Sequence, residues 1–295
     1  MTLPRVASPA SYPEVPLFAF DTLWLQVAGT LCNLECTHCF VSSSPRNHSH
    51  EMMTLAQVSG HLAEAAALGV REYYFTGGEP FLNREILKMI EAALAQGPVT
   101  VLTNGLLFKP ETVQRLRALY DASPYSLDLR VSIDGYDAAT NDPVRGAGSF
   151  ERILAGIRNL TEAGLNPVLT VTEASEGAGT EEGRRRWLAF LRSIGLTKPR
   201  LKVMPLLRLG AETRRSRGYE AWETLQGRTL TRAEAEGLVC TTSRTATAKG
   251  VYVCPILIEF PEARLGSALH QGLRPVTLAN QACYTCHVQG LSCRT

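Results

Sequence analysis

The sequence predicts an α/β protein built on a parallel sheet, either curled as an incomplete barrel or doubly wound. Three observations predict it. From residue 22 to about 205 strands alternate with amphipathic helices, giving six βα-like units once the opening strand TLWLQV is counted. The strands are apolar enough to be buried on both faces, as parallel strands covered by helices are. Unusual polar and glycine residues collect just after the strands, at the carboxyl ends where parallel sheets gather their chemistry. At 295 residues, 45% hydrophobic and 20% charged, the chain can bury a large core, as one large domain or one with an appendage.

Each element has a local reason. A helix over Leu55–Leu68 opens with a capping box, Thr54 and Gln57, and stops at Gly69 before VREYYFT. A second runs from Asn83 to Gln96, where Gly97-Pro98 ends it ahead of VTVLTN. Glu111–Tyr120 leads to LDLRVSID; Phe150–Ala163 stops at Gly164 ahead of NPVLTVTE; Glu181–Ile194 stops at Gly195 ahead of PRLKVMP. Glycine supplies the left-handed conformation that terminates a helix. After about residue 210 the rhythm fails. The charged stretch AETRRSRGYEAWETLQGRTLTRAEAEG reads as helical, and TATAKGVYVCP reads as a hairpin turning at Lys249-Gly250.

The formal charge of +2 points to no nucleic acid, and Arg184-Arg185-Arg186, following Glu181 and Glu182, reads as a solvated helix face. No run approaches the ~20 apolar residues that span a bilayer, and the first residues carry no signal-peptide pattern. The expectation is a cytoplasmic protein with no membrane partner. Reducing conditions there turn clustered cysteines toward metal binding or catalysis.

The strand ends carry Cys32, Cys36 and Cys39 after the first strand, Thr76-Gly77-Gly78-Glu79-Pro80 after the second, Thr103-Asn104-Gly105 after the third, and Ser132, Asp134 and Gly135 at the fourth. They should converge on one cavity. Structural zinc generally takes four ligands, and His38, beside Cys39, does not easily face the same ion. A cubane iron–sulfur cluster normally takes four cysteines, so three would leave one iron open to another ligand. Zinc remains the alternative at this point.

Cys32-x3-Cys36-x2-Cys39 followed after one βα unit by Gly77-Gly78-Glu79-Pro80 resembles the radical S-adenosylmethionine (SAM) enzymes. The resemblance implies a partial (β/α)6 TIM-like barrel over residues 22–210, behind an N-terminal extension of residues 1–21. It implies a [4Fe–4S] cluster on the three cysteines, with SAM on the fourth iron. Reductive cleavage would yield a 5′-deoxyadenosyl radical that abstracts hydrogen from a substrate, with electrons from a flavodoxin- or ferredoxin-type donor. In that scheme Gly77 and Gly78 let the backbone approach the ligand, and Glu79, with carbonyls near Pro80, accepts from the SAM ammonium. Ser132 or Asp134 approaches the ribose, and Asn104 lines the same wall. Arg145 contacts the methionyl carboxylate or is a surface loop arginine; His38 lies near adenine or is a loop histidine without a role.

In the tail, CYTCH at residues 283–287 matches a c-type haem attachment pattern, which requires export and is not expected here. Residues 211–295 instead resemble the twitch domain, a shortened SPASM domain. That implies a second, auxiliary [4Fe–4S] cluster on Cys240, Cys254, Cys283 and Cys286, with Cys293 spare. The family usually places four residues between the hairpin glycine and the next cysteine; here Gly250 and Cys254 have three, which leaves the ligand set open beside a structural zinc site. Only about twenty residues precede the first strand, too few for a leader-binding domain, so the substrate is expected to be a small molecule or a peptide segment. Its oxidation, epimerisation or bond formation stays open. Arg208 and Tyr74 are candidates to face the cavity or to serve structure. The alternative class, a non-catalytic iron–sulfur electron-transfer or zinc-binding protein, accounts for the cysteines and leaves the GGEP turn unexplained.

Overall fold

The computed structural model describes residues 11–175 and 177–290. After a two-residue strand, β1 (Glu14–Val15), come six parallel strands: β2 (Thr22–Gln26), β3 (Glu72–Thr76), β4 (Val99–Thr103), β5 (Leu127–Ser132), β6 (Val168–Thr172) and β7 (Arg200–Met204). They lie side by side in sequence order. A doubly wound sheet has a point where strand order reverses. With no reversal, right-handed crossovers place every helix on one face, and the sheet curls as an incomplete barrel.

The helices of this segment are α1 (Leu55–Ala67), α2 (Ile86–Leu94), α3 (Pro110–Ala122), α4 (Ala138–Arg145), α5 (Ser149–Glu162) and α6 (Glu181–Ser193). One face of each strand meets them: Leu23, Leu25, Tyr73, Phe75, Leu129, Val131, Leu169 and Val171 share one core with the helices' apolar sides. Each fully buried side chain of this kind contributes roughly 1.5–3 kcal/mol. The alternate residues Trp24, Tyr74, Arg130 and Thr170 are buried on the opposite, inner face. The strands are therefore buried on both faces as expected, but the inner face is largely polar.

Two boundaries differ from the expectation. Pro80–Leu82 form a 3₁₀ turn, and the helix expected from Asn83 begins at Ile86. Asn83 is occupied elsewhere, its Nδ2 donating to the carbonyls of Val27 and Met53 at 2.9 Å each. Helix α4 has no counterpart among the helices expected from the sequence. Its signal is the capping box Asp137 and Thr140, which outweighs Pro143 inside the helix.

The tail corrects two further expectations. The charged stretch holds only short helices, α7 (Glu212–Arg215) and α8 (Arg232–Glu236), because its charges close local loops: Arg217 Nη1 donates to Glu223 at 2.5 Å. The hairpin exists, as β8 (Ser243–Thr247) and β9 (Gly250–Tyr252), with Ala248 and Lys249 between the closing pair Thr247 and Gly250. Its two-residue turn is thus Ala248-Lys249 rather than Lys249-Gly250, and it joins the barrel's sheet. β8 pairs in parallel with β2, Thr22 opposite Ser243, and β10 (Arg264–Gly266) follows on β9, so the sheet continues past the barrel's first strand. β11 (Val276–Thr277) pairs with β1, and α9 (Ala282–Gln289) ends the described chain. No helix among the described residues is long and apolar enough to cross a membrane.

Arg244, fully buried in β8, donates to the carbonyls of Gly272, Ser243 and Arg274 at 2.7, 2.7 and 2.9 Å, and to that of Cys240. Arg244→Met leaves these acceptors without a donor and is expected to cost about 3–5 kcal/mol in denaturant unfolding; a loss under about 1 kcal/mol refutes the staple.

Glu64 on α1 accepts from the backbone of Leu269 and His270 at 2.9 Å each and from His270 Nδ1 at 2.8 Å. Burial pushes its carboxyl up, but these donors outweigh it and hold the pKa below its ordinary value. A carboxyl depressed on folding stabilises above its unfolded pKa, about 4.3, and loses that contribution as pH falls through the folded value. Glu64→Gln is expected to be about 1–2 kcal/mol less stable at neutral pH, the gap closing below about pH 4. A gap independent of pH contradicts the linkage.

Candidate active site

The β2 and β3 exits are sewn together through backbone. Gly78 N donates to Gly29 O at 2.9 Å, and Glu79 N to Leu31 O at 3.0 Å. A Cβ on Gly78 would lie 2.1 Å from Leu31 O and 2.9 Å from the Cβ of Cys32. Gly77 adopts φ +145°, and a Cβ there would meet Ala28 at 2.7 Å. The glycines are thus required by the cysteine loop itself, and both also line a cavity of about 230 Å³ at the carboxyl ends of the strands.

Glu79 faces away from that cavity. It is fully buried; Oε1 accepts from Thr103 Oγ1 at 2.8 Å and Phe81 N at 3.0 Å, and Oε2 from Asn104 N at 2.7 Å. Burial pushes its carboxyl up to about 7 against these three donors. It pins the end of β4 to the turn after β3, and Pro80 beside it is buried as the start of the 3₁₀ turn. Asn104 does line the cavity, its Nδ2 donating to Asn33 Oδ1 at 2.7 Å and lying 3.7 Å from Cys32 Sγ.

Cys32, Cys36 and Cys39 line the same cavity. Burial pushes the thiol of Cys32 up to about 12 and that of Cys36 up to about 11. Cationic iron would reverse this by stabilising the thiolates. Backbone N–H groups already face the sulfurs, Leu34 N to Cys32 Sγ at 3.4 Å and Ser43 N to Cys39 Sγ at 3.3 Å, the kind of donor that tunes cluster ligands. Among the described residues no three Cys, His, Asp or Glu side chains form the coordination sphere of one ion. The three-cysteine loop suits a cubane, whose cysteines sit on separate irons.

Beside the cysteines lies a buried charge cluster. Asp134 Oδ2 is 2.6 Å from His38 Nε2 and 2.8 Å from Arg145 Nη2; Oδ1 accepts from Thr172 N at 2.9 Å and Thr172 Oγ1 at 2.7 Å. Burial favours the protonated carboxyl, but Arg145 and His38 outweigh it and hold Asp134 well below the usual carboxylate range. Of the two ribose candidates, Ser132 lines the cavity, whereas the Asp134 carboxylate is engaged within the wall. Arg145 is not a surface loop residue: it ends α4, is 5% exposed, lines the cavity, and has its Nε buried with no protein partner. His38 lines the cavity with its ring oriented by Asp134.

Sequence reasoning missed Thr172 and Asn33. Thr172 ends a strand, as the singled-out residues do, and Asn33 sits inside the cysteine motif. Tyr74 is on the inner face, stacked on Trp24 at 4.3 Å between ring centroids, and Arg208 turns toward Glu223, 4.0 Å away.

In the tail, Cys240, Cys254, Cys283 and Cys286 all line a second cavity of about 360 Å³. Cys283 and Cys286, three apart on α9, share a helix face. Burial pushes Cys240 up to about 11, Cys283 up to about 12, and Cys254 higher still. Cys293 lies outside the described residues.

Removing Asp134 would leave Arg145 buried without its counter-ion. Asp134→Ala is expected to cost about 3–5 kcal/mol in denaturant unfolding; a change within about 0.5 kcal/mol would remove the cluster's structural role.

Comparison with known proteins bears on this geometry. The sequence model of the Radical SAM superfamily matches residues 27–174, half of the chain. An AdoMet-dependent heme synthase of Methanosarcina barkeri is 37% identical over 142 residues, which cover 48% of this chain and 38% of that one. The mycofactocin maturase MftC of Mycolicibacterium smegmatis is 35% identical over 135 residues, covering 45% and 33%. The match thus spans about a third of the length of these curated relatives. Streptococcus suis SuiB bound to its precursor peptide SuiA superposes with a TM-score of 0.63 at 16% identity, over 85% of this chain and 63% of that one, a likeness of fold. With the motif residues around one cavity and the family match running from the end of β2 through β6, the chain belongs to the radical SAM superfamily.

Proposed function

We propose that this chain is an enzyme that binds a [4Fe–4S] cluster through Cys32, Cys36 and Cys39 and SAM beside it, and acts on a small-molecule or peptide substrate in the barrel. The observation that carries the reading is the convergence of the three cysteines, Gly77, Gly78 and Arg145 on one cavity at the strand ends. When bound, the cluster and SAM supply the electron transfer and the 5′-deoxyadenosyl radical that abstracts hydrogen. The protein's part is positioning. Arg145, held by Asp134 with Nε unspent, takes the SAM carboxylate; Ser132 and Asn104 border the ribose; His38, its Nε2 on Asp134, sets its ring against the adenine side. Gly77 and Gly78 give SAM a wall without side chains, and Glu79 acts through the turn that it holds.

The tail cysteines Cys240, Cys254, Cys283 and Cys286 hold a second [4Fe–4S] cluster in a twitch-like unit, a reading supported by their sharing one cavity. A flavodoxin- or ferredoxin-type protein supplies the electron. A peptide substrate is favoured by MftC being named a maturase and by SuiB being seen with a precursor peptide; the heme synthase among the relatives keeps a small molecule open.

Anaerobically reconstituted protein is expected to hold about eight irons per chain, falling to about four in the variant with Cys32, Cys36 and Cys39 all changed to Ala. Dithionite-reduced wild type should convert SAM to 5′-deoxyadenosine, and the variant should not. Four irons falling to none would remove the auxiliary cluster and keep the enzyme. Metal loading without 5′-deoxyadenosine would instead identify an electron-transfer or zinc protein.

A further inference from the structure

Resting on that reading, we propose that the electron enters at Cys36, through a basic recess on the outer side of the cysteine loop where a small acidic one-electron carrier docks.

Cys36 borders two spaces. It lines the barrel cavity with Cys32 and Cys39, and it also lines a recess of about 350 Å³ with Glu35, Thr37, Ala211, Arg214 and Arg215. Of those five neighbours only Ala211 is buried, so the recess opens outward. Neither Cys32 nor Cys39 lines it. At this point one residue separates the cluster's place from the outside, and that residue is itself a cluster ligand in the reading above.

The rim is fixed to the loop. Ala211 N donates to Cys39 O at 2.9 Å. Gly210, at φ +55°, comes so close that a Cβ there would lie 2.6 Å from Phe40 O and 2.7 Å from Cys39 O. Helix α7 starts directly after this contact and carries Arg214 and Arg215 into the recess wall. On the loop itself, Thr37 N donates to Val144 O at 2.8 Å. The two arginines therefore keep their place relative to Cys36.

The charge presented outward is positive. Glu212 is fully buried and accepts from Arg215 Nε at 2.8 Å and Nη2 at 2.9 Å, so the carboxylate lies inside and the guanidinium, 29% exposed, at the surface. Arg214 is exposed and pairs with no carboxylate among the described residues. Glu35, the acid among the lining residues, is answered by Arg46 at 2.5 Å. A basic rim around one cluster ligand selects an acidic partner, because complementary charge speeds encounter and orients it. Electron-transfer encounters need only a small interface, which a recess of this size supplies. The transfer is of one electron: the carrier is oxidised by one and the loop cluster reduced by one, and no bond forms between the proteins.

The probe is an acidic plant-type [2Fe–2S] ferredoxin with the reconstituted holoenzyme. Calorimetry reads the affinity of its oxidised form. Formation of 5′-deoxyadenosine is followed with reduced ferredoxin and, separately, with dithionite, which is too small to need a docking surface. Arg214→Glu is expected to weaken ferredoxin binding about tenfold and to slow ferredoxin-driven formation by a similar factor. Glu35→Lys should shift both the other way, and high salt should level the three proteins. Iron per chain and dithionite-driven formation should match wild type in both variants. Equal affinities in wild type and both variants, no ferredoxin binding to wild type, or a parallel loss of dithionite-driven formation overturns the proposal. Weakened binding with an unchanged ferredoxin-driven rate also overturns it, since the electron then enters elsewhere, as at the tail cysteines. Wild type that binds ferredoxin through Arg214 but forms no 5′-deoxyadenosine with dithionite removes the enzyme reading and leaves the docking surface standing.

Discussion

The close approach of the Gly77-Gly78 backbone to Ala28–Cys32 is the constraint on which the site depends. Two strand exits meet with no room for a Cβ, and the contact is closed by hydrogen bonds from Gly78 N and Glu79 N to the carbonyls of Gly29 and Leu31. The cysteine loop is irregular and would otherwise be free to drift; bonded to the end of β3, it inherits the rigidity of the parallel sheet. Glu79 extends the same logic one strand further, since its carboxylate holds the end of β4. The loop, the glycine turn and Asn104 therefore move as one body.

The charges in this region are arranged by depth. Carboxylates are placed inside the walls, where Glu79 and Asp134 accept hydrogen bonds from backbone and side chains, and the cavity surface carries arginines and sulfur. Asp134 is the clearest case: one carboxylate sets the ring of His38, pairs Arg145 and ties the end of β6 through Thr172. Removal from water alone would neutralise such an acid; the Arg145 guanidinium and the contacts with His38 and Thr172 keep it charged. The result is a rigid wall that presents positive charge inward without mobile side chains.

Most of the architecture was legible because periodicity and glycine stops are local signals, and the strand-end motifs lie where parallel sheets concentrate chemistry. What was not legible depended on distant partners. Nothing near Glu79 in the chain shows that Thr103 and Asn104 consume its carboxylate, so the motif glutamate looked like a ligand group. For Arg145 a surface loop stood as the alternative to a SAM contact, because Pro143 masked a helix whose cap, Asp137, lies eight residues before it. Arg130 drew no notice inside LDLRVS, since a charged residue in a buried strand has meaning only once the inner face is known to line a cavity. The charged tail misled for the opposite reason: its composition suits a helix, but its ion pairs close loops.

The pairing of β8 with β2 joins residues more than two hundred positions apart, Thr22 and Ser243 among them. During synthesis the first barrel strand therefore has one edge open until β8 has emerged more than two hundred residues later, and an unpaired edge of parallel strand is a template for wrong partners. Long-range parallel pairing is also the slow part of folding, because loop-closure entropy is lost before the contact rewards it. The hairpin of the cysteine-bearing tail thus covers the first barrel strand and hands the open edge on to β10.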